Sequence, residues 1–586
     1  MSELSIETGR HSLAHVMAQA VVEMFPGTRL GIGPCIDDGF YYDFDVAGTA
    51  LSSEHFEEIE RRMAAILKTQ APFTRQVLAS KAEALELFAG EPYKVELITD
   101  LPDDAEITVY RTGDGFLDLC RGPHAENTKF LMNWAYKIHS VAGAYWRGSE
   151  KNPMLQRLYV YAFPARAELK EHIARIEEAQ KRDHRKIGPQ LDLFFMAETA
   201  PGMPYWLPKG LKLFNLLLDF WRGEHEKRGY QEISSPLINH VGLWKTSGHW
   251  DHYQHNMFII PGEEETDPVF AVKPMNCPNA MTVFARKVRS YRELPLRYSD
   301  CDVLHRKEVS GTLHGLFRVQ MFRQDDAHIF VTHDQIFDEI NAILDIADRF
   351  YSIFGLSYSP VLSTRPEDFM GDISAWNKAE DELREVLTRR YGDGYKVNEG
   401  DGAFYGPKID IIMTDALGRP WQTGTIQLDF QLPHNFDLTY ADRDGTLKEP
   451  VVIHRVIYGS MERFIGILIE HFAGAFPLWI SPVQIGLVPV RENHNDYALS
   501  VMEKLQKAGL RCEILLEDES MGGKIKKFRL DRTPYTLIMG DKEVEGGTVS
   551  VRVRSGAQIA DVSLDAFISS CVSQIEQNAL ELAETF

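Results

Sequence analysis

Three side chains that lie far apart along the chain constrain its fold most, because together they suit one metal ion. Cys277, His328 and His454 supply the thiolate and imidazole groups that bind zinc. Structural zinc sites are normally closed by four protein ligands from closely spaced pairs, whereas three scattered ligands leave a position open for chemistry. Spacing alone is not diagnostic, and a buried thiol with two unrelated histidines is the alternative.

The composition is that of an ordinary globular protein. The 586-residue chain is 44% hydrophobic and 25% charged, and its length suggests about four domain-sized units. It has no apolar stretch near the roughly 20 residues of a membrane span, no secretory signal at its start and no CxxC pair among six cysteines. We therefore expect a cytoplasmic protein without membrane association. The net charge of −22 does not exclude RNA binding, because it is an average over the chain and RNA contacts need only a local positive face.

Composition and periodicity predict four regions. Residues 1–160 mix short helices with alternating strands, and residues 189–480 are rich in aromatic residues and two-residue periodicity. A polar helix that begins at Glu168 and ends near Gly188–Pro189 makes residues 161–188 a connector.

The last region, 481–586, alternates strands with helices. Strands are predicted over 483–490, 512–516 and 535–539, and Gly509 ends a helix over 496–508. This alternation predicts a small α/β unit with a mostly parallel sheet.

The segment 322–328 is predicted to be a strand with a functional face. Residues two apart in a strand share a face, so Phe322, Gln324, Asp326 and His328 form one row. Convergence of an aromatic ring, an amide, a carboxylate and an imidazole is typical of a ligand-binding face. A solvated sheet surface is the alternative.

Arginines near this row suit a phosphate. Arg306 and Glu308 are two apart on a predicted strand, and Arg318 lies beyond the turn 310–312. A guanidinium fork binds phosphate or carboxylate, although an isolated Arg-x-Glu is usually a surface ion pair.

A predicted helix start adds a third anion-binding feature. Gly459 and Arg463 are four apart where a helix begins, and its apolar face continues through Phe464, Ile467 and Leu468. Glycine permits close approach and a helix N-terminus favours anions, so Arg463 is placed to meet a phosphate.

Together these segments resemble the three signature motifs of the class II aminoacyl-tRNA synthetases. Motif 1 ends at Ser234–Pro236, motif 2 runs from Arg306 to Phe322, and motif 3 is the Gly459–Arg463 helix. Four further segments are similar to the threonyl-tRNA synthetases: PMNCP at 274–278, QDDAH at 324–328, FYGPK at 404–408 and IHR at 453–455.

The resemblance spans nearly the whole chain and implies an α+β multidomain fold. It implies a class II catalytic domain on an antiparallel sheet over residues 189–480 and an N-terminal α+β editing domain over 1–160. It also implies a C-terminal α/β anticodon-binding domain over 481–586. Family members usually begin with a small ubiquitin-like domain, which we expect to be absent or encoded elsewhere because the editing helix begins almost at Met1.

The resemblance implies an enzyme that adenylates L-threonine with ATP, accompanied by Mg²⁺, and transfers it to tRNA(Thr). Arg306 would grip the α-phosphate and the amino-acid carboxylate, Phe322 would stack on adenine, and Arg463 would hold the γ-phosphate. The residues implied to complete the ATP pocket are Glu308, Arg318 and Gln422. Of these, Arg306, Glu308 and Arg463 are the expected catalytic residues.

In the family pattern, one zinc ion on Cys277, His328 and His454 reads the substrate. Valine is isosteric with threonine but lacks its hydroxyl, and a site that reads a hydroxyl rejects such an analogue by on the order of 10⁴–10⁵. The residues implied to surround threonine are Gln324, Asp326, Tyr405 and Gln427.

Serine keeps the hydroxyl, and one missing methyl is worth only about 10–200-fold, so mischarged seryl-tRNA has to be hydrolysed at a second site. His11 and His15 are four apart on a predicted helix and therefore share a face. The residues implied for this editing pocket are His11, His15, Lys94, Asp118, Cys120 and His124. A closed Cys/His₃ zinc site, a metal-free hydrolytic pocket and satisfied core residues all remain open, and the resemblance favours the metal-free pocket.

Two further expectations come from the resemblance. Glu543 and Arg552 would read anticodon bases, although without the resemblance they pass as surface charges. Motif 1 implies a homodimer.

Two rival interpretations compete with this one. The first is a catalytically silent RNA-binding paralogue, which has no need of the intact arginines and zinc ligands. The second is a metallohydrolase built on His11 and His15, but the chain lacks the Glu of a HExxH helix.

Overall fold

The computed structural model describes residues 4–262, 264, 269–517 and 519–586. The chain divides into two compact units, Met1–Glu177 and Glu178–Phe586. In the part of the chain that is described, no helix is both long and apolar enough to cross a membrane.

The first unit is an α+β fold organised around a buried helix. The helix Ile6–Met24 is capped by Ser5, whose side chain accepts the Thr8 backbone N–H at 3.1 Å. Its further helices are Phe56–Lys68, Lys81–Leu87 and Pro92–Thr99. An antiparallel five-stranded sheet contains Arg29–Leu30, Cys35–Ile36, Gly39–Asp45, Ala135–Tyr145 and Met154–Phe163. A second antiparallel sheet contains Phe73–Val77, Thr108–Thr112 and Phe116–Leu119.

The second unit is built on an eight-stranded, largely antiparallel sheet. Its strands in spatial order are Gln231–Glu232, Leu296–Asp300, Asp326–Val331, Val451–Val456, Pro420–Asp429, Lys408–Thr414, Ser357–Ser363 and Lys396–Asn398. Only the two outermost pairings are parallel. The helices that share a hydrophobic core with this sheet are Pro208–Glu226, Ile336–Ser352, Ile373–Tyr391 and Met461–His471. This antiparallel core confirms the predicted fold class.

Short elements complete the region around this sheet. The helices are His184–Gln190, Val241–Thr246, His249–Tyr253, Cys277–Ala285 and Gln431–Asn435. The strands are Phe194–Phe195 with Tyr205–Trp206, Ile238–His240 with Phe270–Val272 and Ile259–Ile260, Arg289–Ser290 with Tyr440–Ala441 and Leu447–Lys448, and Val303–His305 with Met321–Arg323.

The C-terminal region has its own hydrophobic core. Its strands in spatial order are Cys512–Ile514, Ile485–Pro489, Tyr535–Met539, Thr548–Val553 and Gln558–Ser563. Its helices are Asn495–Lys507, Met521–Leu530, Asp541–Gly546 and Leu564–Glu576.

The expectation of a mostly parallel C-terminal sheet is wrong. Two pairings are parallel and two are antiparallel. The last three strands follow one another through short connections, and a parallel crossover needs a dozen residues or more. The sheet is therefore mixed.

The connector also differs from its prediction. Its helix is Arg166–Arg182, and Gly188–Pro189 lies inside a second helix, His184–Gln190. Asp183 separates the two because its carboxylate accepts the Arg185 backbone N–H at 2.8 Å, which caps the second helix.

Candidate functional site

The three expected zinc ligands meet in a cavity of about 230 Å³. His328 and His454 are directly paired on neighbouring antiparallel strands, and Cys277 is the first residue of the helix Cys277–Ala285. Their candidate ligand atoms lie within 4.8 Å of one another, and all three side chains are buried. The sheet register therefore brings residues from three distant segments to one point.

The chemistry of these donors fits a zinc ion. His454 donates from Nε2 to the Asp429 carboxylate at 2.8 Å, so Nδ1 is the ring nitrogen left for a metal ion. A carboxylate behind a ligating histidine is the usual support of a zinc site. The buried Nδ1 of His328 has no hydrogen-bond partner among the described residues. Burial, with Asp326 and Asp429 nearby, raises the pKa of the Cys277 thiol well above its usual value, and a bound cation would reverse that effect.

The four expected threonine-binding residues line the same cavity: Gln324, Asp326, Tyr405 and Gln427. The Tyr405 hydroxyl donates to Gln427 Oε1 at 2.7 Å, and Asn276 Nδ2 donates to Asp326 Oδ2 at 2.8 Å. Burial raises the pKa of Asp326 to about 6, and the Asn276 amide and the Arg306 charge oppose that rise. The cavity thus combines a candidate metal site with a small polar pocket.

A second cavity, of about 450 Å³, adjoins the first. It is lined by all six residues expected to bind ATP: Arg306, Glu308, Arg318, Phe322, Gln422 and Arg463. Arg306 and Gln324 line both cavities. The Arg306 guanidinium lies 5.1 Å from the centre of the Phe322 ring, and its Nε donates to the Pro274 carbonyl at 3.2 Å.

The charge in this cavity suits a polyphosphate. Arg463 donates from Nε to the Phe317 carbonyl at 2.8 Å. Burial lowers the pKa of Arg463, and the positive charges of Arg318 and Arg306 lower it further. Arg318 is paired with Glu308 at 2.8 Å. A bound anion with several oxygens would relieve the repulsion among these guanidinium groups.

Two local predictions around this site are wrong. Segment 322–328 contains two strands, Met321–Arg323 and Asp326–Val331, separated by Gln324 and Asp325. The interruption follows from Asp325, whose carboxylate accepts the backbone N–H groups of Ile457, Tyr458 and Gly459. Arg306 and Glu308 lie beyond the strand Val303–His305 rather than on it. The predicted row still faces the two cavities despite both changes: its residues are Phe322, Gln324, Asp326 and His328.

Several polar residues of the site were missed from sequence. Asp429 supports His454, and Asp410 accepts a hydrogen bond from Gln422 Nε2 at 2.6 Å. Asp429 is two positions after Gln427 on one strand, so a shared face is a signal that could have found it. Asp325 sits in a break in the pattern, and no periodic signal marks it.

The expected editing residues also converge. His11 and His15 share one face of the helix Ile6–Met24 and line a cavity of about 790 Å³ with Lys94, Asp118 and Cys120. The Cys120 thiol lies 3.3 Å from His11 Nε2 and 3.2 Å from His124 Nε2. Lys94 Nζ lies 2.6 Å from Asp118 Oδ1, and Tyr42, which sequence reasoning missed, donates to the same carboxylate.

Burial disfavours the charged forms of the three histidines and the cysteine of this pocket. Burial lowers the pKa of His11, and it lowers those of His15 and His124 further. Burial raises the pKa of the Cys120 thiol to about 11. The four side chains nevertheless offer ligand atoms within 4.8 Å of one another. Neutral imidazoles and a protonated thiol can position water without a metal.

The two expected anticodon residues lie near one partly exposed strand face. Ser550 and Arg552 alternate with buried valines on the strand Thr548–Val553. Glu543, in the helix Asp541–Gly546, accepts the Ser550 hydroxyl at 2.7 Å. The face presents an acceptor and a guanidinium donor.

Family profiles match three parts of the chain. Residues 259–472 match the tRNA synthetase class II core domain (G, H, P, S and T), and residues 484–574 match the anticodon binding domain. Residues 107–159 match the threonyl and alanyl tRNA synthetase second additional domain.

Solved structures are similar as well. The RNA binding domain of threonyl-tRNA synthetase from Cryptosporidium parvum Iowa II is 42% identical with a TM-score of 0.64, covering 67% of this chain and 98% of that one. A putative threonyl-tRNA synthetase, ThrRS-1, from Aeropyrum pernix is 28% identical with a TM-score of 0.59, covering 69% of this chain and 98% of that one.

Full-length relatives are more similar still. The threonine–tRNA ligase of Syntrophomonas wolfei is 51% identical over 580 residues, which is 99% of this chain and 90% of the relative. That of Thermotoga maritima is 49% identical over 577 residues, 98% of this chain and 89% of the relative. With half of its residues shared along nearly its whole length, the chain belongs to the threonine–tRNA ligase family, the threonyl-tRNA synthetases.

Proposed function

We propose that this chain activates L-threonine with ATP and transfers the threonyl group to tRNA(Thr). The observation that carries the proposal is the pair of adjoining cavities, of which one holds the candidate zinc ligands and the other the arginine cluster. We assign residues 189–480 to this chemistry, residues 1–160 to editing, residues 161–188 to the connector and residues 481–586 to anticodon binding.

The adenylation step needs charge stabilisation rather than a general base. The threonine carboxylate attacks the α-phosphate and pyrophosphate leaves; Mg²⁺ bound to ATP would add positive charge at the phosphates. Arg306 lines both cavities and so reaches the carboxylate and the α-phosphate together. Phe322 offers a face for adenine, and Arg463 reaches the distal phosphates. Fixed positive groups of this kind stabilise the charge that develops in line. Glu308 and Gln422 orient the same nucleotide.

Amino-acid selection belongs to the smaller cavity. Cys277, His328 and His454 would hold a zinc ion, which would supply a Lewis acid beside the substrate amino group and hydroxyl. Asp326 and Gln324 lie beside that position, and Tyr405 with Gln427 closes the wall. A cavity of about 230 Å³ suits a small amino acid. Serine also carries an amino group and a hydroxyl, so we expect it to bind in the same cavity.

Hydrolysis of seryl-tRNA(Thr) is assigned to the 790 Å³ cavity of the first unit. We favour the metal-free arrangement, because the Cys120 thiol already lies within hydrogen-bond distance of His11 and His124. The Lys94–Asp118 ion pair is buried, and Tyr42 donates to the Asp118 carboxylate, so the pair can orient an ester and a water.

We also propose that the strand face at Ser550 and Arg552, with Glu543, reads the anticodon.

We propose further that the chain is a homodimer. The dimer rests on three exposed apolar side chains that the strand register places on one face of a small sheet: Ile238, Ile260 and Phe270. Contiguous apolar surface of this kind marks an interface.

Aminoacylation of a tRNA(Thr) transcript tests the proposal. The purified chain, with ATP, Mg²⁺ and labelled threonine, should form acid-precipitable, alkali-labile threonyl-tRNA, and a transcript with an altered anticodon should be charged more slowly. Lack of charging by zinc-replete protein would contradict the assigned function.

A further inference from the structure

A buried histidine outside the predicted sites links the connector to both arginine-bearing motifs. His184 is completely buried at the start of the helix His184–Gln190. With Asp183 and Glu470 it forms one of three candidate metal clusters in the described ranges. Glu470 belongs to the helix Met461–His471, which also carries Arg463.

The hydrogen bonds of His184 argue against a metal there. The backbone N–H of Leu316 donates to Nε2 at 2.9 Å, and Nδ1 lies 2.7 Å from Glu470 Oε1. A backbone N–H can only donate, so Nε2 carries no proton and the ring proton on Nδ1 is donated to Glu470. Both nitrogens are therefore used, and the tautomer is fixed.

Glu470 is itself anchored. Arg419 donates to its Oε2 at 2.6 Å and is paired with Asp415 at 2.6 Å. Burial alone would raise the pKa of Glu470, but the hydrogen bonds from His184 and Arg419 hold it below its usual value. The acceptor for the His184 proton thus remains ionised.

The other side of His184 holds a segment of the ATP cavity. Phe317 follows Leu316, and its ring centre lies 4.1 Å from that of His184. The Phe317 carbonyl accepts Arg463 Nε at 2.8 Å, and Phe317 lines the 450 Å³ cavity. Gly315 approaches so closely, with φ at +50°, that an added Cβ would lie 2.2 Å from His184 Nε2.

We propose that His184 is a positioning residue for the nucleotide, resting on the proposed function. By accepting the Leu316 N–H, it fixes the Phe317 carbonyl, and that carbonyl orients the Arg463 guanidinium in the cavity. Glu470, which Arg419 binds, accepts the proton on Nδ1 of His184 and so fixes the ring. His184 touches neither substrate, so its removal weakens ATP binding through Arg463.

Two substitutions separate the bonds of His184. His184→Gln places an amide near Nε2, which keeps an acceptor for Leu316 and loses the side-chain bond to Glu470, whose Oε1 still accepts the backbone N–H of residue 184 at 3.1 Å. His184→Asn places an amide near Nδ1, which keeps the Glu470 bond and loses the acceptor for Leu316. We expect His184→Asn to lower kcat/KM for ATP about 10-fold or more in threonine-dependent ATP–pyrophosphate exchange, with KM for threonine changed less than about twofold. His184→Gln should recover most of that loss.

A matched control exists in the C-terminal region. His494 is also buried, accepts the Arg491 backbone N–H at Nδ1 and lies 2.9 Å from the Asp541 carboxylate through Nε2. His494→Gln loses the equivalent backbone acceptor. It should lower the melting temperature as His184→Asn does, with unchanged ATP parameters.

The outcomes distinguish positioning from general damage. If His184→Asn and His184→Gln reduce ATP and threonine parameters alike, in proportion to their melting temperatures, His184 is merely structural and the proposal fails. ATP affinity measured by calorimetry without threonine tests the same claim independently of the amino acid. If the wild-type chain binds ATP but exchanges with no amino acid, the proposed function fails while the calorimetric comparison still decides the role of His184.

Discussion

At the scale of single residues, the site depends on groups that support the direct ligands. Asp429 is completely buried, and its carboxylate both holds His454 and accepts the backbone N–H groups of Gln431 and Leu432. Those backbone bonds fix the carboxylate, so it can orient the imidazole. We therefore expect selectivity for the amino acid to depend on Asp429 as well as on the three expected ligands.

We expect Asp429→Asn to weaken zinc binding about 10- to 100-fold, the usual cost of losing such a support. The amide cannot accept the His454 proton with the same strength, so the ring tautomer is no longer fixed. Competition with a fluorescent zinc chelator measures the affinity without depending on activity. Retention of zinc with wild-type affinity would show that the Asp429 contact is incidental.

His11→Ala tests the editing pocket at the same scale. Loss of an imidazole beside the Cys120 thiol should slow deacylation of seryl-tRNA(Thr) about 100-fold, within the range of general acid–base groups. Threonine activation should be unaffected. His139→Ala is the matched control, because His139 stacks on Tyr161 and is not among the residues that line the pocket. Equal deacylation by both variants would contradict the assignment.

At the scale of elements, periodicity predicted the elements that form one continuous pattern. The N-terminal helix, the helix after Gly459 and the strand Tyr535–Met539 lie where the sequence indicated, and each is buried along most of its length. The predictions failed where a single side chain overrides the pattern. Asp325 interrupts a strand by binding three backbone N–H groups, and Asp183 begins a new helix inside the connector. Such contacts come from residues distant in sequence or from local capping, which periodicity does not record.

The pairing of the candidate ligands depended on register as well. His328 and His454 are opposite each other only because their strands pair in one register, and a one-residue shift would turn one of them to the other face. The family resemblance supplied this grouping, since spacing alone could not.

The N-terminal helix should respond to acid. Burial, with the nearby charges of His11 and Lys94, lowers the pKa of His15 well below its usual 6.5. The unfolded state therefore binds a proton at His15 more readily than the folded state does. The free energy of unfolding is accordingly unaffected by His15 above pH 6.5 and decreases as the pH falls below that value. Hydrogen exchange of the helix Ile6–Met24, corrected for intrinsic rates, should show protection falling about 10-fold per such histidine between pH 7.5 and 5.5. His15→Gln should reduce this dependence, and an unchanged profile would contradict it.

At the scale of the whole molecule, the exposed apolar sheet predicts the assembly. Wild-type protein should sediment at twice the 66.7 kDa chain mass. Phe270→Asp should produce monomers, because it places a charge within that patch. Leu499→Asp is the control, since Leu499 is 39% exposed, close to the 38% of Phe270, but lies in the C-terminal region. Sedimentation of the wild type as a monomer at micromolar concentration would contradict the dimer.

We propose that one molecule couples metal-based selection of threonine to adenylate formation. Threonine, serine and valine should differ because only the first two carry the hydroxyl that the site reads, and the discrimination against valine should reach on the order of 10⁴.

ATP–pyrophosphate exchange with these three amino acids, before and after Cys277→Ser, tests this most directly. We predict strong exchange with threonine, weaker exchange with serine, none with valine, and loss of all exchange in the variant together with its zinc. Exchange with valine comparable to that with threonine, or full threonine activity in zinc-free Cys277→Ser, would contradict metal-based selection of threonine.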